Sequence, residues 1–72
     1  MTEHEFITTM KEEILDTDAD ITMDMPLSTI EEWDSLAFVS FIAMAKTSTD
    51  KKIDRTSVQE AATVGDLYAL LQ

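Results

Sequence analysis

No cysteine occurs in the chain, so neither a disulfide framework nor a thiolate metal site can staple it, and packing alone must supply stability. The single glycine, Gly65, rules out a glycine-rich phosphate loop and a Gly-x-Ser-x-Gly nucleophile elbow. With only His4 as a histidine base and 72 residues to enclose a substrate, a Ser-His-Asp enzyme is disfavoured; His4 falls among acids in the first helical turn and is expected to be solvated. Bases are scarce too: five against fifteen acids give a net charge of -10, which repels nucleic acid and anionic lipid and favours partners with basic patches. The longest nearly apolar run, Leu36 to Ala45, is far too short to cross a bilayer, and no basic segment followed by an apolar one opens the chain. A monomeric, soluble, cytoplasmic protein is expected.

What is present points to one small folded domain over residues 1–72. A hydrophobic content of 44% is too high for a disordered acidic tail, and the apolar residues recur with a helical period. Thr2 and Glu5 have capping-box spacing, and Phe6, Ile7, Met10 and Ile14 then share a face, which predicts a first helix to about Leu15. Asp16-Thr17-Asp18-Ala19-Asp20 competes with helix and Pro26 forbids a helix interior, so a long loop follows. Within it a second box, Ser28 with Glu31, predicts one turn that drops Ile30 or Trp33 onto the core beside Leu27.

The central helix is expected from Ser35 to about Thr49 with Asp34 as its N-cap. Its bulky arc, Phe38, Phe41, Ile42 and Ala45, should face inward; Leu36, Val39, Ser40, Ala43 and Thr47 share another arc. A lysine-containing turn anchored by Ile53 leads to the overlapping box signals Thr56/Gln59 and Ser57/Glu60, hence a short third helix around Ser57 to Ala61. Thr63 and Asp66 start a last helix with Val64, Leu67, Tyr68 and Leu71 inward. The fold class is therefore all-α: a four-helix bundle with a long first loop and a short third helix.

Charge is uneven along this pattern. Residues 1–34 hold eleven acids and only Lys11 as a base, while residues 35–72 hold four of each sign. At that boundary stands Asp34-Ser35-Leu36, between an acidic loop and the most apolar helix. Taken alone, Asp and Ser here can simply serve the helix start. In this setting, small acidic domain, helix, long loop, Asp-Ser-Leu at the second helix, short third helix, fourth helix, the whole chain resembles the acyl carrier protein family.

That resemblance implies that Ser35 receives a 4'-phosphopantetheine arm from coenzyme A through a phosphopantetheinyl transferase, with Asp34 and Leu36 as its recognition flank. It implies no catalysis by the chain itself; the arm's thiol carries an acyl group as a thioester between acyl-transferring and acyl-modifying enzymes of fatty-acid, polyketide or specialised lipid synthesis. A helix start suits a phosphate, because unpaired N–H groups and the positive dipole end meet it there. Phe38, Phe41 and Ile42 are candidates to shape or fill an acyl pocket. An aminoacyl or peptidyl carrier of a nonribosomal pathway is the nearest alternative.

The chain departs from the family where many members carry acids along the second helix. Its corresponding outward positions are Ala37, Ser40 and Lys46, so docking would use Leu36, Val39 and Ala43, bordered by Asp24, Glu31, Glu32 and Asp34. Trp33, where a small residue often stands, either pins the loop so as to present the serine or fills the core. A rival of another class is an acidic calcium or protein-interaction module: Asp16, Asp18, Asp20 and Asp24 match positions one, three, five and nine of a calcium loop. Ile21 replaces its turn glycine, however, and Leu27 its bidentate glutamate, so no metal site is assigned, and only weak, nonspecific divalent binding is expected at these acids. The methionines read as packing residues.

Overall fold

Thr2 and Glu5 form the box that their spacing predicts: the Thr2 N–H donates to Glu5 Oε1 at 3.0 Å, and the Glu5 N–H donates back to Thr2 Oγ1 at 3.1 Å. These bonds hold the Glu5 carboxyl below its ordinary pKa, the Thr2 N–H being the larger cause. The computed structural model describes residues 2–49 and 52–72. Met1, Asp50 and Lys51, and with them part of the lysine turn expected before Ile53, lie outside the described residues.

The first helix is not one uniform α-helix. Helix α1, Glu3–Thr9, passes into a π-helical segment, Met10–Ile14, in which the Leu15 N–H reaches back to Met10 O at 2.7 Å. Asp16 then adopts φ 51°, and the Thr17 N–H closes the end on Lys11 O at 2.9 Å. Aspartate tolerates this left-handed conformation better than a bulky or β-branched residue, so the polar run that weakens the helix also ends it.

Pro26 is followed by a 3₁₀ turn, Leu27–Thr29, which buries Leu27 and, directly after it, Ile30. The Ser28–Glu31 box does not form. The turn is over by Ile30, whose backbone is extended, so Glu31 lies outside it; instead Thr29 Oγ1 donates to Pro26 O at 2.7 Å.

Helix α2, Ser35–Ser48, is capped as expected: Asp34 Oδ1 accepts from the Ala37 N–H at 3.0 Å. Its inward stripe is rotated from the one that bulk suggested. Ala37 is 3% exposed, not outward, and lies on a line with Phe41 and Ala45, while Phe38 and Ile42 sit half-buried at the flank. Small residues admit close approach to the neighbouring segment, and Phe41, spaced four from each alanine, fills the gap.

Helix α3 is Arg55–Glu60, two residues ahead of its expected start. Asp54, rather than Thr56 or Ser57, is the cap: its Oδ1 accepts from the Ser57 N–H at 2.8 Å, which lowers the Asp54 pKa. Aspartate in extended backbone directly before the run supplies what both boxes promised, and those boxes fall inside the helix instead.

Helix α4, Val64–Leu70, starts with the Thr63/Asp66 capping box. Its first free N–H groups are taken by the long loop: Val64 N–H donates to Met25 O at 3.1 Å and Gly65 N–H to Met23 O at 2.6 Å. A Cβ on Gly65 would stand 2.9 Å from that oxygen, so the absence of a side chain permits the contact. The Leu27 N–H completes the seam on Ala62 O at 2.9 Å.

Around one hydrophobic cluster, Phe6, Met10, Phe41, Val58, Val64 and Leu67 are fully enclosed, and Phe6 meets Phe41 edge-on with 6.3 Å between ring centroids. The Cα radius of gyration, 10.8 Å, matches the roughly 11 Å expected of a folded chain this long. Among the described residues there are four α-helices and no strand, only an isolated antiparallel bridge from Pro26 to Thr63. The protein is all-α, and no described helix is long and apolar enough to cross a membrane.

Candidate functional site at the start of α2

Ser35 is the first residue of the longest helix and is exposed. The chain is delivered to it by a short ladder of backbone bonds: the Trp33 N–H donates to Ile30 O at 3.1 Å and the Asp34 N–H to Glu32 O at 3.0 Å. Asp34 then caps the helix with side chain and carbonyl, the latter accepting from the Phe38 N–H at 2.9 Å. The serine is thus placed by a fixed turn rather than a loose loop.

Trp33 supports that turn from below. Half-buried, it packs edge-on to Phe41 at 6.2 Å and tilted against Phe38 at 6.3 Å, which ties the residue two before the serine to the core aromatics. Such ring pairs contribute on the order of 1 kcal/mol each beyond area burial. Pinning the loop and filling space are therefore one role here.

An open groove of about 430 Å³ lies beside Ser35, walled by Trp33, Phe38, Val39, Arg55 and Gln59. It brings α2 and α3 to one place, with Arg55 Cζ 5.8 Å from the centre of the Phe38 ring. Sequence reasoning does not single out Arg55, which belongs to none of the capping boxes or apolar faces. The signal available was its position directly after the Asp54 cap.

The three acyl-pocket candidates separate. Phe41 is fully enclosed and fills the core, whereas Phe38 faces the groove at Ser35 and Ile42 faces a second open groove, of about 460 Å³, with Ile53 and Lys52.

Among the described residues, Leu36 and Val39 are the large apolar side chains most open to solvent, 76% and 56% exposed, and Ala43 is exposed on the same helix. None of the three is packed under the loop. Asp24, Glu31, Glu32 and Asp34 are exposed as well, Asp24 accepting a hydrogen bond from Thr22 Oγ1 at 2.7 Å. Among the described residues no three His, Asp or Glu side chains converge as a metal site, so Asp16, Asp18 and Asp20 are not drawn together.

What this surface can do chemically is limited and specific. It holds out one hydroxyl beside a helix start with N–H donors, with a cation and an amide across the groove and an apolar strip along the helix. No protein-family model, characterised protein or solved structure matches the chain significantly.

Proposed function

We propose that the protein is a cytoplasmic acyl carrier, a four-helix carrier domain whose Ser35 hydroxyl bears a 4'-phosphopantetheine arm. The observation that carries this reading is the placement of Ser35: exposed, first in the long helix α2, behind the Asp34 cap, and within the Asp34-Ser35-Leu36 motif. The residues present fit the group. A phosphate esterified to the serine would meet the unpaired N–H groups of the first turn, and open space adjoins it.

When attached, the arm supplies a thiol that holds an acyl group as a thioester and presents it to successive enzymes. The chain's own residues then position and do not catalyse. Asp34 fixes the helix start, Trp33 braces the preceding turn, and Leu36, Val39 and Ala43 offer partner enzymes an apolar strip. Such a strip, on a helix that carries no acid and bordered by the acids of the preceding loop, suits partners that combine an apolar patch with basic residues, in fatty-acid, polyketide or specialised lipid synthesis.

Intact-mass measurement after incubation with coenzyme A and a broad-specificity phosphopantetheinyl transferase tests the proposal. The natural chain should gain the mass of one phosphopantetheine, and Ser35→Ala should gain none. A natural chain left unmodified by every transferase tried would overturn it.

A further inference from the structure

We infer that Arg55 is the counter-charge for the phosphate on Ser35, a role that rests on the carrier reading and assigns a holding residue to it. Ser35 opens α2 and Arg55 opens α3, twenty positions later, yet both line the groove of about 430 Å³. The Arg55 guanidinium stands over Phe38, its Cζ 5.8 Å from the ring centre. A cation–π contact uses no hydrogen bond of the guanidinium, so its N–H edge stays free to meet an oxyanion, often with two parallel bonds.

Nearby carboxylates do not use that edge. Asp54 Oδ1 accepts from the Ser57 N–H at 2.8 Å, and Asp34 Oδ1 accepts from the Ala37 N–H at 3.0 Å, so both serve as helix caps. Among the described residues the Arg55 charge meets the Phe38 face and no carboxylate. In a chain of net charge -10 this is an unusual cation, since acids outnumber bases threefold.

The need for a counter-charge is local. Glu31, Glu32 and Asp34 precede Ser35, so an attached phosphate adds one more anion to an acidic run. Helix-start N–H groups offset part of that repulsion, and Arg55 offsets it from the opposite wall. Gln59, four residues on along α3 and on the same groove, adds an uncharged donor and acceptor. The arm on leaving Ser35 is thereby drawn along the Trp33–Phe38 wall, where Trp33, the single tryptophan, reports it.

The test compares unloaded and loaded protein, with loading confirmed by mass, in the natural chain and in Arg55→Gln and Arg55→Lys. In the natural chain, loading should displace the Arg55 Nε–Hε resonance and change Trp33 emission, and added sodium chloride should move the phosphodiester ³¹P resonance. In Arg55→Gln that resonance should move toward the position of a free phosphodiester and respond less to salt, with Arg55→Lys between the natural chain and Arg55→Gln. Should Arg55→Gln fail to fold, the Arg55 resonance of the natural chain decides alone. Full loading with an unmoved Arg55 resonance, or with identical ³¹P behaviour in natural chain and Arg55→Gln, overturns the role of Arg55 and leaves the carrier reading standing. Absence of loading in the natural chain overturns both.

Discussion

The Gly65 N–H donates to Met23 O at 2.6 Å, which joins the long acidic loop to the first turn of α4. Forty-two positions apart in the chain, these two residues belong to the seam that holds the loop on α4, together with the Val64 N–H on Met25 O and the Leu27 N–H on Ala62 O.

Gly65→Ala should therefore destabilise the protein. The new Cβ would lie 2.9 Å from Met23 O, a backbone atom that cannot rotate away. Alanine gains up to about 1 kcal/mol in helix propensity, while overpacking costs typically about 1–3 kcal/mol. A net loss of about 1–2 kcal/mol, or a fall of several degrees in melting temperature, is expected in thermal unfolding.

Phe41→Ala and Phe38→Ala should differ sharply. Phe41 is wholly enclosed and touches the Phe6 and Trp33 rings, so its loss costs about 3–5 kcal/mol. That is a large share of the roughly 4–11 kcal/mol available to a chain this size, and the variant should be largely unfolded at physiological temperature. Phe38, half-exposed on the groove, should cost clearly less by denaturant titration.

Asp66 makes part of the stability depend on pH. Its carboxylate accepts from the Ala62 N–H at 2.9 Å and the Thr63 N–H at 3.1 Å, and these bonds, the Ala62 one first, lower its pKa. A carboxyl with a lowered folded pKa contributes stability above its unfolded pKa and loses it as pH falls through the folded value. The difference in urea midpoint between the natural chain and Asp66→Ala should be widest near neutrality and close once pH falls below the ordinary aspartate range. A difference that stays constant down to strong acid would show that the carboxylate charge plays no part.

Leu36→Asp and Val39→Asp should leave stability within about 0.5 kcal/mol, since both side chains are open to solvent. Their effect should fall on partner reactions: a loss of about tenfold in kcat/KM, about 1.4 kcal/mol, in arm transfer or acyl loading. Unchanged rates with every partner enzyme would contradict the docking strip.

Much of the fold was legible because it is local. Thr2 with Glu5, Asp34 and Thr63 with Asp66 cap helices where their spacing says they should, and those bonds span at most three residues. The long loop followed from Asp16 to Asp20 and Pro26 for the same reason. Legibility ended where several local solutions competed. Asp54 took the cap of α3 from Thr56 and Ser57, and the 3₁₀ turn ended before Glu31 could close a box. Bulk misplaced the inward face of α2, because what selects Ala37 over Phe38 is the closeness of the neighbouring segment, a tertiary quantity. Gly65 and Arg55 went unread at the site for a related cause: each matters through a partner far away in sequence, Met23 for one and the groove at Ser35 for the other.

The central claim concerns one hydroxyl, and the chain offers four other serines, Ser28, Ser40, Ser48 and Ser57, as internal controls. The most direct measurement is fragmentation mass spectrometry of chain loaded from coenzyme A by a phosphopantetheinyl transferase, mapping the added group to its residue. The account predicts the group on Ser35 and on none of the other four. A group mapped elsewhere, or a chain that stays bare, would contradict it.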